Sequence, residues 1–173
     1  MNTMLKKKIR EQISDIRNPI LFKALHWKGH MHERHLLTNE EMREVIKRRA
    51  PLENEDDIVM VTRFNSFEEA LELTAQTLEE NVEKIAEWLM DDCSEIMEFT
   101  SRFPYPTGDG LIKNADWTNF VPVHGVNVVL CKGSCIPGQS FVVTTSYPIR
   151  TFEDIDNIYD AIDDYTEKRN SRN

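Results

Sequence analysis

A chain of 173 residues with 40% hydrophobic and 29% charged residues has the length of one globular domain and enough apolar content to bury a core. No apolar run approaches the ~20 residues that a membrane-spanning helix requires, and the basic start MNTMLKKKIREQ continues as an amphipathic, charged segment, unlike a secretory signal. The net charge of −9 is unevenly placed: residues 1–50 carry 12 Lys/Arg against 6 Asp/Glu, and the remainder 9 against 24. A net +6 first third points to an anionic partner for a local basic surface, although overall acidity weakens long-range attraction to nucleic acid. The cysteines, Cys93, Cys131 and Cys135, are odd in number and fit a reducing compartment better than a disulfide framework. The pair in CKGSC lacks CxxC spacing and reads as free thiols.

From Met4 to Lys23, Leu5, Ile9, Ile13 and Ile20 recur at helical intervals, and Pro19 interrupts them, which predicts two short helices. In TNEEMREVIKRRAP, Thr38 followed by Glu41 is a capping-box pattern, and it predicts a helix that ends before Pro51. The run IVMVTRF (58–64) reads as a strand. Ser66 then caps one long amphipathic helix whose apolar stripe runs from Phe67 through Leu78, Val82 and Ile85 to Trp88 and Leu89. FTSRFPYPTGDGLI reads as turn-rich, whereas VNVVLCKG and QSFVVTTSYPI read as the two strands of an antiparallel hairpin. The tail from Thr151 predicts an acidic helix that frays. Helices first and strands mostly later predict an α+β domain, with N-terminal helices packed on an antiparallel sheet. The expected organisation is a single domain over 1–173: a helical segment at 1–24, a core at 25–149 and an acidic tail at 150–173.

GxGxxG, Walker, HExxH and GxSxG motifs are all missing, which removes the sequence support for several common enzyme classes. Four of the five histidines, His26, His30, His32 and His35, fall within LHWKGHMHERHL. A histidine with an ordinary pKa near ~6.5 exchanges protons at neutral pH, so one reading is acid–base chemistry. A second is a metal site, which would need ligands from His124 or the cysteines at no familiar spacing. A third is purely structural, with the rings bonded to helix ends or facing solvent. The late TTSYP segment adds hydroxyl and phenol groups that a strand can present to a cleft.

These segments together resemble the bacterial RNase A-like toxin domains found at the C-termini of contact-dependent inhibition and other polymorphic toxins. That family has an early motif close to G-H-T-x-x-x-H-V, then a capped helix with an arginine, a strand and a phenylalanine leading into a long helix, and a final strand ending in T-x-Y-P. Here the counterparts are Gly29, His30, Arg34 and His35 in GHMHERHL, the helix from Thr38, TRFNSFEEA, and Thr145, Tyr147 and Pro148 in TSYP. Met31 stands where the family has threonine, and Leu36 where it has valine. A count along the helix places the family's arginine at Val45 or Ile46, so Arg43, Arg48 and Arg49 are its available substitutes.

The resemblance implies metal-independent RNA cleavage in a cleft lined by the histidine segment and the late strand, with no cofactor. His35 matches the catalytic histidine, Thr145 and Tyr147 the polar pair at the strand end, and His30 an orienting or binding histidine. Arg48 is the candidate for stabilising phosphoryl charge, and Arg34, Arg43 and Arg49 for binding substrate. Trp117 and Phe120 are read as core residues, with base stacking as the alternative. The implied partners are an RNA substrate and a cognate immunity protein, and the implied place of action is the cytoplasm of a cell that receives the toxin. The rival readings are a catalytically inactive relative acting as a binding protein and a zinc-binding protein.

Overall fold

The computed structural model describes residues 2–26, 35–49, 59–113, 120–133 and 138–171. Helix α1 (Asn2–Ile16) turns Ile9, Ile13 and Ile16 inward, and all three are fully buried. Asn18 then caps α2 (Pro19–Leu25): its side-chain oxygen accepts from the N–H groups of Ile20 at 3.0 Å and Leu21 at 3.3 Å. Pro19 sits in the first turn, where a missing N–H costs nothing. The break predicted at Pro19 is therefore a cap and a restart.

Helix α3 (Asn39–Arg49) opens with the predicted capping box. Glu41 N–H donates to Thr38 Oγ1 at 3.2 Å, and Thr38 N–H donates to Glu41 Oε2 at 2.8 Å. The strand expected at 58–64 is β1 (Met60–Arg63). Ser66 caps α4 (Phe67–Glu80) as expected, its Oγ accepting from Glu69 N–H at 3.1 Å. The predicted single long helix is instead two, α4 and α5 (Val82–Met90), divided at Asn81. The buried Asn81 amide donates to the carbonyls of Thr77 at 2.8 Å and Thr100 at 3.3 Å. Such side-chain bonding offers the backbone an alternative to the helical ladder, and periodicity alone does not register it.

The segment read as turns, residues 99–112, holds the second half of β2 (Ile96–Arg102) and all of β3 (Gly108–Ile112); β4 (Val121–Val123) follows. The glycines of β3 conceal it because they serve close packing. A Cβ at Gly108 would drive into the Arg63 carbonyl oxygen and lie 2.8 Å from Pro148 Cγ. The expected hairpin is β5 (Gly125–Lys132) with β6 (Phe141–Ile149), and the acidic helix of the tail is α6 (Asp154–Asn170). Two antiparallel three-stranded sheets result, in the orders β1-β3-β4 and β2-β5-β6. The fold is α+β, as the element order predicted.

The main core lies between α1, α2, α4 and α5 and one face of β2-β5-β6, where Phe99, Val126, Val128, Leu130, Phe141 and Val143 are buried. Each such side chain contributes roughly 1.5–3 kcal/mol of burial free energy. A second cluster joins Met42 and Ile46 of α3 to Val59, Val61 and Leu111, and a third seats Ile158 of α6 on Ile112 and Val121. The sheets are tied at one point by Thr62 Oγ1, which donates to the Pro148 carbonyl at 2.6 Å. Pro148 has no N–H to give, and it sits on β6, an edge strand, where none is needed.

Candidate active site

One irregularity in β6 decides what the site contains. Opposite Val129 and Leu130 the register shifts: Thr145 pairs with Val129 but Val143 pairs with Leu130, so Thr144 is an extra residue. Phe141 and Val143 point into the core. Simple alternation would send Thr145 and Tyr147 there too, but the bulge reverses the parity. Ser146 now faces the core, its hydroxyl 2.7 Å from that of Thr74, while Thr145 and Tyr147 face a cleft.

The cleft has a volume of about 1110 Å³ and lies between α3, β1 and the end of β6. His35 enters it from the segment before α3, where its carbonyl accepts from Phe64 N–H at 2.8 Å and anchors the residue beside β1. The His35 and Tyr147 rings stack with centroids 5.0 Å apart and planes at 24°. Thr145 Oγ1 is buried and has no hydrogen-bond partner among the described residues, an arrangement that usually costs about 1–3 kcal/mol. Arg48 and Arg49, from the last turn of α3, line the cleft with Arg150. Among the described residues no carboxylate forms an ion pair with these three arginines.

Glu40, Glu41 and Glu44 line the same wall nearer the start of α3. The Thr38 N–H holds the Glu41 carboxyl below the usual carboxylate range, and the bond from Lys47, 2.9 Å away, does the same for Glu44. The α3 wall thus runs from anionic to cationic along the helix axis.

Of the site residues expected from the sequence, the cleft brings together His35, Arg48, Arg49, Thr145 and Tyr147. Arg43 lies on α3 outside the cleft lining, 3.7 Å from Glu40. His30 and Arg34 lie outside the described residues, as do His32, Cys135 and Trp117. Phe120 packs beside the second cluster under the Arg63 guanidinium, 4.9 Å from its ring centre. His124 is occupied elsewhere: its Nδ1 lies 2.6 Å from Asp154, the buried first residue of α6. Burial raises the Asp154 carboxyl, but the bonds from Thr151 and His124 outweigh it and hold the group below the usual range. Among the described residues no three side chains are grouped to hold a metal ion. No described helix is long and apolar enough to cross a membrane.

Thr62 and Arg150 of the cleft lining escaped sequence reasoning, as did the buried Asn127, which bonds the Tyr147 hydroxyl from the neighbouring strand. Asn127 had a signal, as the one amide in the apolar strand VNVVL.

With this geometry in place, comparison with known proteins identifies the class. The family described as the bacterial CdiA-CT RNAse A domain matches residues 29–148, well over half of the chain, and the chain belongs to that family of ribonuclease toxins of contact-dependent inhibition. Among solved structures, a CdiA-CT/CdiI complex from Y. kristensenii contains a chain that is similar at a TM-score of 0.56 and 19% identity. The match covers 70% of this chain and 99% of that one. That likeness shows the shared α+β fold. Comparison with curated proteins gives no match.

Proposed function

We propose that the protein is a metal-independent endoribonuclease that uses the RNA's own 2′-hydroxyl as nucleophile. The observation that carries this reading is the convergence of His35, Tyr147, Thr145 and the arginines of α3 on one cleft. His35 takes the 2′-OH proton as the 2′-oxygen bonds to phosphorus. The P–O5′ bond breaks, and the leaving oxygen takes a proton from the Tyr147 phenol; water reprotonates the phenolate, and the hydroxide so formed takes from His35 the proton it had gained, which restores both groups. Thr145 donates its otherwise unpartnered hydroxyl to a phosphoryl oxygen, while Arg48, with Arg49 beside it, balances the charge gathering there. The products are a 2′,3′-cyclic phosphate and a 5′-hydroxyl.

The chain acts as one domain on RNA in the cytoplasm of a recipient cell and is restrained by a cognate immunity protein. This part of the proposal draws on the family and on the similar protein having been solved as a CdiA-CT/CdiI complex. A catalytically inactive, binding role is the second reading, and the three glutamates on the cleft wall favour it by repelling phosphate.

The deciding experiment is incubation of RNA with the purified protein in EDTA, with His35→Ala in parallel. Cleavage by the wild type with 2′,3′-cyclic ends, and a loss of roughly 10²–10⁴-fold in the variant, is expected. RNA left intact across varied sequences would move the conclusion to the binding role.

A further inference from the structure

Tyr147 carries two hydrogen-bonding functions on one oxygen, and a neighbour decides which faces the cleft. Directly across the ladder, the Asn127 amide nitrogen lies 2.7 Å from the Tyr147 hydroxyl, and the same nitrogen lies 3.1 Å from Glu98 Oε2 on the next strand. The strand order β2-β5-β6 thus sets Glu98, Asn127 and Tyr147 in one chain of bonds across the sheet. Asn127 is only 3% exposed, and its Oδ1 has no partner among the described residues. An amide flip would place that oxygen against the Glu98 carboxylate, which can only accept, so Glu98 holds the nitrogen outward. The two N–H bonds are then divided: one to Glu98, one to Tyr147. Because the phenol oxygen accepts from Asn127, its own proton must point elsewhere.

We infer that Asn127, oriented by Glu98, is a positioning residue that turns the Tyr147 O–H into the cleft and fixes it as a donor to the reacting phosphate. Asn127 touches no reacting atom. Its effect passes through Tyr147 alone, and the inference rests on the ribonuclease reading of the same cleft. A buried carbonyl left without a partner is the stability cost of aiming the nitrogen. An apolar residue would fill the same space on β5 without that cost.

The test is a double-substitution cycle read as kcat and KM on an end-labelled, mixed-sequence oligoribonucleotide in EDTA. Asn127→Asp replaces the donor by an acceptor, so the Tyr147 proton turns inward. We expect kcat to fall about 10–10²-fold and KM to change less than about threefold, the pattern of a contact made in the transition state. Glu98→Gln, which can donate as well as accept, frees the amide to flip and should lower kcat by a smaller factor. In a Tyr147→Phe background, itself slowed, Asn127→Asp should add less than about threefold, because the group it acts through is gone. A merely structural asparagine would impair both backgrounds equally. If melting curves show that Asn127→Asp does not fold, Asn127→Ala takes its place, with about a tenfold loss and the same non-additivity expected. Additive losses, or a change confined to KM, overturn the inference while the ribonuclease reading stands. Intact RNA with the wild type overturns both.

Discussion

His26 gives the sharpest physical prediction because it links the helical N-terminus to the strand that carries Thr145 and Tyr147. It caps the C-terminus of α2, is 3% exposed, and its ring centre lies 4.9 Å from that of Phe22. Its Nδ1 accepts from the Val143 N–H at 3.0 Å, on the open side of β6, so the neutral ring with its proton on Nε2 is required. Burial pushes its pKa down from 6.5 to about 4. Below pH 6.5 the unfolded chain binds a proton at this site that the folded chain does not. Stability from His26 is therefore fully present above pH 6.5 and is lost as pH falls through about 4. The full displacement corresponds to about 3 kcal/mol, of which about 2 kcal/mol falls between pH 7 and pH 5. Asparagine can place an oxygen near the Nδ1 position and does not titrate. Urea unfolding of wild type and His26→Asn at both pH values isolates the term, since other titrating groups cancel in the double difference. The wild type should lose about 2 kcal/mol more than the variant on moving to pH 5. Equal losses would refute a buried, neutral His26.

Three further outcomes follow from the packing. Gly108→Ala should destabilise the fold by about 1–3 kcal/mol in urea unfolding, near the upper end, because the obstructing Arg63 carbonyl is backbone and cannot swing away. Thr145→Val keeps the shape of a side chain whose hydroxyl is unpartnered, so the melting temperature should hold or rise while RNA cleavage falls at least tenfold. A drop in stability would instead mean that the hydroxyl has a structural role. Ile13→Ala should cost about 2–5 kcal/mol, although residue 13 lies outside the region that matches the family, and a loss under 1 kcal/mol would show α1 to be an appendage.

How much of this was legible depended on whether the signal was local. The capping box at Thr38 and Glu41, the Ser66 cap and the alternation in the hairpin are local, and each element formed where it was expected. The glycines of β3 were not, because their meaning lies in Arg63 and Pro148, distant in sequence and adjacent only after the sheets meet. Asn81 misled partly in the same way, since its amide, bonded locally to the Thr77 carbonyl, is also held by the Thr100 carbonyl of another element. In the candidate site, His35, Thr145 and Tyr147 stood out by chemical type and by resemblance. Their shared face did not, because plain alternation along FVVTTSYPI sends Thr145 to the core side with Val143. The choice among the arginines also needed the fold: α3 lines the cleft with Arg48 and Arg49 and leaves Arg43 outside.

The bulge also explains why elements outside residues 29–148 bear on the site. An extra residue in an edge strand turns Thr145 and Tyr147 to the cleft side at the expense of regular pairing, so β6 needs support from elsewhere. Its open edge is met at Val143 by His26 of the N-terminal segment. The turn that begins it is held by Gln12 of α1, which bonds the Gln139 side chain and accepts from Ser140 N–H at 2.9 Å. Thr62 holds its end at the Pro148 carbonyl, one residue beyond Tyr147. Two of these three ties come from α1 and the end of α2, so the N-terminal helices set the strand that aims the candidate catalytic groups. Loosening either tie should therefore raise the mobility of Thr145 and Tyr147 before the core melts, which amide exchange in His26→Ala and Gln12→Ala would register as faster exchange along β6 with α4 still protected. Exchange that quickens uniformly across β6 and α4 would mean that the ties support only global stability.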